Sequence, residues 1–188
     1  PFTAHAEFDF EGFKRCVEVS VRALNEVLEE GLTLHPLKEQ QDSVNEWRQI
    51  GLGIMGLADC LIKLGLTYGE GESVRMCDDI GFAMADSAIA ASAALAKEKG
   101  AFERCNVEEI MSTPYFEANT SEKTRELVRK YGLRNSQLLT IAPTGTLSTM
   151  LGISGGIEPV YANYYERKTE SLHGTDVYYK VYTKIVES

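Results

Sequence analysis

Apolar residues recur at three- and four-residue steps between Phe8 and Glu30, at Phe13, Cys16, Val17, Val21, Leu24, Val27 and Leu28. Gly31 follows as a stop, so the spacing predicts a long amphipathic helix with a core face and an acidic face. Leu32 to Gln41 reads as a connector, because Pro36 disfavours helix at His35. A glycine-rich stretch, Asn45 to Asp59, leads into a helical pattern through Leu64 with Gly65 as its stop. Glu72 to Gly100 carries the longest helical pattern. Its Ile80, Ala83, Met84, Ser87, Ala88, Ala91, Ala94 and Leu95 form a small-residue face that permits close helix contact. Lys97 and Lys99 fall in its last turn, where the helix dipole favours cations.

Downstream, Thr113-Pro-Tyr-Phe predicts a turn or helix start, and Thr120 to Tyr131 a short charged helix closed by Gly132. Leu138 to Ile141 then predicts a short buried strand, broken by Pro143 and Gly145, with Thr146 or a neighbour capping a helix through Met150. A strand, a tight turn and a helix start in succession present free backbone N–H groups to an anion. Val160 to Arg167 alternates and contains Tyr161, Tyr164 and Tyr165, which predicts a strand. Thr169 to Gly174 is a polar connection, and Thr175 to Val186 resumes a helical pattern.

Composition changes this picture little. The chain is 44% hydrophobic and 25% charged, with a mean hydropathy of -0.19, as in ordinary globular proteins. Its 19 basic against 28 acidic residues give a net charge of -9, which argues against a nucleic-acid or acidic-membrane surface. Any phosphate must therefore be held locally. No apolar run approaches the ~18 residues of a membrane span, and the N-terminus lacks a signal peptide's pattern. The absence of an initiator methionine and the abrupt end at Glu187-Ser188 lead us to expect a piece of a larger domain, in the cytoplasm. Cys16, Cys60, Cys77 and Cys105 are widely spaced, so neither zinc nor a disulfide framework is indicated. His35 reads as a loop histidine.

Gly51, Gly53 and Gly56 match Gly-x-Gly-x-x-Gly, which raises a dinucleotide site and an oxidoreductase of Rossmann type. That site needs a strand before Gly51 and an acid ending the next strand, whereas Glu70 and Glu72 lie in a turn. The alternative is close packing of a glycine-rich segment. A non-enzymatic helical interaction module, built on the alanine-rich helix, is the third reading.

The segments Trp47-Arg-Gln-Ile-Gly-Leu-Gly-Ile-Met-Gly-Leu-Ala-Asp59, Leu138-Leu-Thr-Ile-Ala-Pro-Thr-Gly-Thr-Leu-Ser148 and Ser154-Gly-Gly-Ile-Glu-Pro159 closely resemble the catalytic (large) subunit of ribonucleotide reductase. The similarity runs in the family's order and spacing over nearly the whole chain. It implies a helix-rich α/β fold, residues 1–188 being an incomplete part of the family's ten-stranded α/β barrel. It also implies reduction of ribonucleoside di- or triphosphates to deoxyribonucleotides by thiyl-radical chemistry. The Pro-Thr-Gly-Thr form looks most like the adenosylcobalamin-dependent class, with the class that uses a di-iron partner subunit as the alternative. A thioredoxin-like reductant and a homodimeric parent are implied with it.

On this resemblance the substrate's phosphates fall to Pro143, Thr144, Gly145, Thr146, Leu147 and Ser148. The family's Asn-x-Cys-x-Glu radical motif is not found in the chain. Cys16-Val17-Glu18 mimics it, but Lys14 stands where the asparagine should be, and Cys16 reads as core. Tyr178-Tyr179 do not match the paired tyrosines of the radical path. No catalytic or metal residue is therefore expected among these positions.

Overall fold

A computed structural model of the chain describes residues 6–169, 174 and 177–187. In chain order its elements are α1 (Phe10–Gly31), a 3-10 turn (Leu32–Leu34), α2 (Lys38–Trp47), α3 (Leu57–Lys63), α4 (Gly71–Lys99), α5 (Val107–Met111), α6 (Pro114–Ala118), α7 (Glu122–Tyr131), α8 (Gly145–Leu151), β1 (Tyr164–Thr169), β2 (Val177–Tyr182) and α9 (Lys184–Glu187). Two compact units result. A helical unit comprises Asp9–Leu52 and Arg75–Thr140, and a loop unit comprises Pro1–Phe8, Gly53–Val74 and Ile141–Ser188.

In the helical unit, α1 begins where Asp9 accepts the Gly12 N–H and buries a line of Val17, Val21 and Asn25. Cys16 belongs to its exposed side, which corrects its assignment to the core: the buried stripe is narrower than the apolar spacing implied. The α4 helix buries Ile80, Ala83, Met84, Ser87, Ala88 and Leu95 of the predicted face, while Ala91 and Ala94 are half-buried and Ser92 and Ala93, outside the predicted face, are fully buried. By length and composition α4 is also apolar enough to cross a bilayer, which departs from the sequence reading. Since 61% of its most apolar window is buried inside the protein, it is accounted for as a core helix.

Two short helices go beyond the sequence pattern. The predicted connector gives way to α2 from Lys38, because Leu37 takes an extended conformation after Pro36 and the next ten residues contain no breaker. The α5 helix starts at an Asn106 cap, whose side chain accepts the Glu109 N–H. Thr113 and Ser121 cap α6 and α7 in the same way.

A polar hub ties the helical unit together. Glu29 Oε1 receives Arg48 Nη2 at 2.7 Å and Arg134 Nη2 at 2.8 Å. Arg48 is 4% exposed and sits in the left-handed region at φ 51, ending α2. Fully buried Asn135 donates to the Arg48 carbonyl at 3.0 Å and accepts from Ser92 Oγ at 3.1 Å. The Arg134 guanidinium, followed by the Arg48 charge, holds the Glu29 carboxyl below its ordinary value against the opposing effect of burial.

The hub sets the register of two extended segments. Ile50 N–H donates to Gln137 O, Leu52 N–H to Leu138 O and Thr140 N–H to Leu52 O. The predicted strand at Leu138 to Ile141 is thereby reduced to one parallel bridge, Leu52 with Leu139, since the pairing has too few rungs to extend.

In the loop unit, β1 and β2 form an antiparallel hairpin pairing Tyr164 with Tyr182 and Thr169 with Val177. This corrects the helical reading of Thr175 to Val186 over residues 177–182, while Thr175, Asp176 and residues 170–173 of the predicted polar connection lie outside the described residues. Tyr178, Tyr179 and Tyr182 favour a strand, and only Lys184–Glu187 is helical. Strand β1 begins at Tyr164, later than Val160.

Candidate functional site

Helix α8 is the short helix predicted after Pro143, but it starts differently. Thr144, not Thr146, occupies the cap position, in the left-handed region at φ 48, and its side chain makes no capping bond. Thr144 Oγ1 instead accepts the Gly156 N–H at 2.8 Å. The first intrahelical bond from outside is Ser148 N–H to Thr144 O at 2.8 Å, so the Gly145, Thr146 and Leu147 N–H groups have no partner among the described residues. An uncapped helix start of this kind offers donors and partial positive charge to an anion.

The six predicted phosphate residues divide by environment. Pro143, Gly145 and Ser148 line a cavity of about 540 Å³, together with Asp59, Ser154, Glu158, Lys180 and Lys184. Thr146 and Leu147 face solvent, Leu147 being 51% exposed. Ser148 is buried, with its hydroxyl at 3.4 Å from Gly145 O, and Thr149 donates to that carbonyl at 2.7 Å. Two acids and two lysines share the cavity, so its walls are balanced in charge. Lys184 lies against Gly152 at the C-terminal end of α8, where a cation complements the dipole.

A second glycine turn, Gly152 to Gly156, closes over the first. Gly156 has φ 44, and a Cβ there would stand 3.0 Å from Ala142 O. The turn is held by the start of α3. Ser154 N–H donates to Asp59 Oδ2 at 2.5 Å, Gly56 N–H donates to Ser154 O at 2.8 Å, and Asp59 N–H lies 3.4 Å from Ser154 Oγ. Sequence reasoning assigned no role to Asp59. The signal was an acid in the first turn after Gly56, but its partner lies 95 residues on.

The glycines of the first motif separate by cause. A Cβ at Gly51 would meet Thr140 Cγ2 at 2.9 Å, which is close packing, whereas Gly56 is required by φ 80. The dinucleotide reading of Gly51 to Gly56 fails here. The residues before Gly51 are helix α2 and irregular backbone, with no strand ending at Ile50.

With this geometry in hand, comparisons define the class. A family model described as ribonucleotide reductase, barrel domain, matches residues 2–188. The chain belongs to that family, and its fold is a helix-rich α/β part of the barrel domain. It is 31% identical over 186 residues to the ribonucleoside-diphosphate reductase subunit alpha of Chlamydia pneumoniae, covering 88% of this chain and 18% of the relative. It is 32% identical over 174 residues to the vitamin B12-dependent ribonucleoside-diphosphate reductase of Mycobacterium tuberculosis, covering 93% and 22%. The large chain of the reductase from Encephalitozoon cuniculi is 31% identical over 179 residues, covering 90% and 23%. The chain thus spans about a fifth of the length of the curated relatives it matches.

Proposed function

We propose that this chain carries the substrate-phosphate loop, Pro143 to Ser148, of a ribonucleotide reductase catalytic subunit. The observation that carries the reading is the uncapped start of α8: Thr144 turns its hydroxyl to Gly156, and the three N–H groups that follow have no partner among the described residues. In an acidic chain, such a local cradle binds phosphate where no basic field would. The whole protein would reduce ribonucleoside di- or triphosphates to deoxyribonucleotides for DNA synthesis by thiyl-radical chemistry, as a cytoplasmic homodimer served by a thioredoxin-like reductant. Names of relatives from Chlamydia and Encephalitozoon favour the diphosphate as substrate.

Adenosylcobalamin is our first choice of radical source, supported by the vitamin B12-dependent relatives of Mycobacterium tuberculosis and Thermoplasma acidophilum. A di-iron partner subunit is the second reading, favoured by relatives named only as subunit alpha at similar identity. Among the described residues no group of three or more His, Cys, Asp or Glu stands close enough to hold a metal ion.

The test is product formation. The full-length protein, given CDP or CTP with dithiothreitol, is expected to yield the deoxyribonucleotide when adenosylcobalamin is added, and Thr144→Ala to raise KM. No product with either adenosylcobalamin or a di-iron subunit would overturn the reading.

A further inference from the structure

The loop that holds Thr144 is itself held from elsewhere. Ser154 has three polar groups, and the first turn of α3 engages each of them. Its N–H donates to Asp59 Oδ2 at 2.5 Å, its carbonyl accepts from Gly56 N–H at 2.8 Å, and its hydroxyl lies 3.4 Å from Asp59 N. One residue further, Gly155 passes so close that a Cβ would stand 3.2 Å from Pro143 O and 3.4 Å from Ser148 Oγ. The next N–H, of Gly156, is the one that draws Thr144 Oγ1 away from capping α8. Asp59 is 8% exposed, so its carboxylate is committed to this grip and is shielded from bulk water.

We propose that Asp59 is a positioning residue: by fixing Ser154 it places the Gly155-Gly156 backbone, which holds Thr144 and keeps the start of α8 open to phosphate. This rests on the phosphate-loop reading and adds to it the residue that sets the loop's shape. A carboxylate near an anion site would ordinarily oppose binding. Here it acts at one remove, by accepting a hydrogen bond from a backbone N–H and so orienting it.

Asp59→Asn retains an acceptor oxygen for Ser154 N–H, whereas Asp59→Ala removes it. The 188-residue chain and both variants are titrated with ADP, with adenosine as the control lacking phosphate. Hydrogen exchange of peptides covering residues 152–158 is followed by mass spectrometry. ADP affinity is expected to fall about tenfold in Asp59→Ala, the loss typical of a charge-assisted bond, and to stay within about threefold in Asp59→Asn. Exchange in 152–158 should quicken about tenfold in Asp59→Ala only. Equal ADP affinity and equal exchange in a folded Asp59→Ala would overturn the positioning role while leaving the phosphate loop standing. If the unaltered chain binds no ADP, the phosphate reading fails, and the exchange rates still decide whether Asp59 holds the turn. Should Asp59→Ala not fold, Asp59→Ser keeps a polar residue in the first turn of α3 but is too short to reach Ser154 N. Faster exchange at 152–158 then supports the proposal, and unchanged exchange overturns it.

Discussion

The helical unit and the loop unit each join segments distant in sequence, but with different chemistry. In the helical unit the clamp is ionic: Glu29 receives both Arg48 and Arg134, and Asn135 locks the backbone beside them. In the loop unit one carboxylate, two hydroxyls and several backbone N–H groups do the holding. The ionic hub joins its charges through the Nη groups and leaves the buried Nε of Arg48 and of Arg134 without a partner among the described residues, whereas the loop clamp diverts a capping hydroxyl and leaves backbone amides of α8 without one. Rigid pairing suits a scaffold. Unpaired donors held in a fixed arrangement suit a ligand.

This contrast predicts a descending series of effects. Glu29→Gln should be the most damaging, about 3 kcal/mol by urea denaturation, because Arg48 is left buried beside Arg134 without its counter-charge. It should also change the pH dependence. The folded pKa of Glu29 is lowered, so its contribution is complete above the unfolded carboxylate pKa and is lost as pH falls through the folded value. The variant's acid limb should therefore be flatter, with thermal midpoints against pH as the check. Asn135→Ala should cost about 2 kcal/mol, since it strips partners from Arg48 O and Ser92 Oγ.

Glycine substitutions sharpen the comparison, because one motif contributes to both units. Gly51→Ala should cost about 1–2 kcal/mol by crowding Thr140, and adding Thr140→Ser, which removes the crowded methyl, should restore most of that. Gly56→Ala should cost about 1 kcal/mol from φ 80, and no trimmed neighbour should rescue it. Thr144→Ala should be the mildest for stability, about 1 kcal/mol or less by the same denaturation, while weakening phosphate binding.

Much of this was legible in the sequence where the cause is local. The α1, α4 and α7 helices follow from three- and four-residue apolar spacing with caps and glycine stops, and Pro143-Thr144-Gly145 announced a turn before a helix. Spacing was less informative where the cause is pairing. Val177–Tyr182 carries enough apolar residues to resemble a helix face, and only its register with β1 makes it a strand. The connector at Leu32 to Gln41 hid α2 because Pro36 marks a helix boundary without saying on which side the next helix begins. At the site, the loop was visible but its geometry was not. Thr144's turn toward Gly156 and Asp59's grip on Ser154 join residues far apart in sequence, and no periodicity encodes them.

The central claim is that the open N–H groups of α8 receive phosphate. Amide chemical shifts of the ¹⁵N-labelled chain, followed during titration with ADP and separately with adenosine, test it directly. The account predicts ADP-dependent shifts at Gly145, Thr146 and Leu147 that adenosine does not reproduce. Unmoved amides at those three positions, or equal shifts with adenosine, would contradict it.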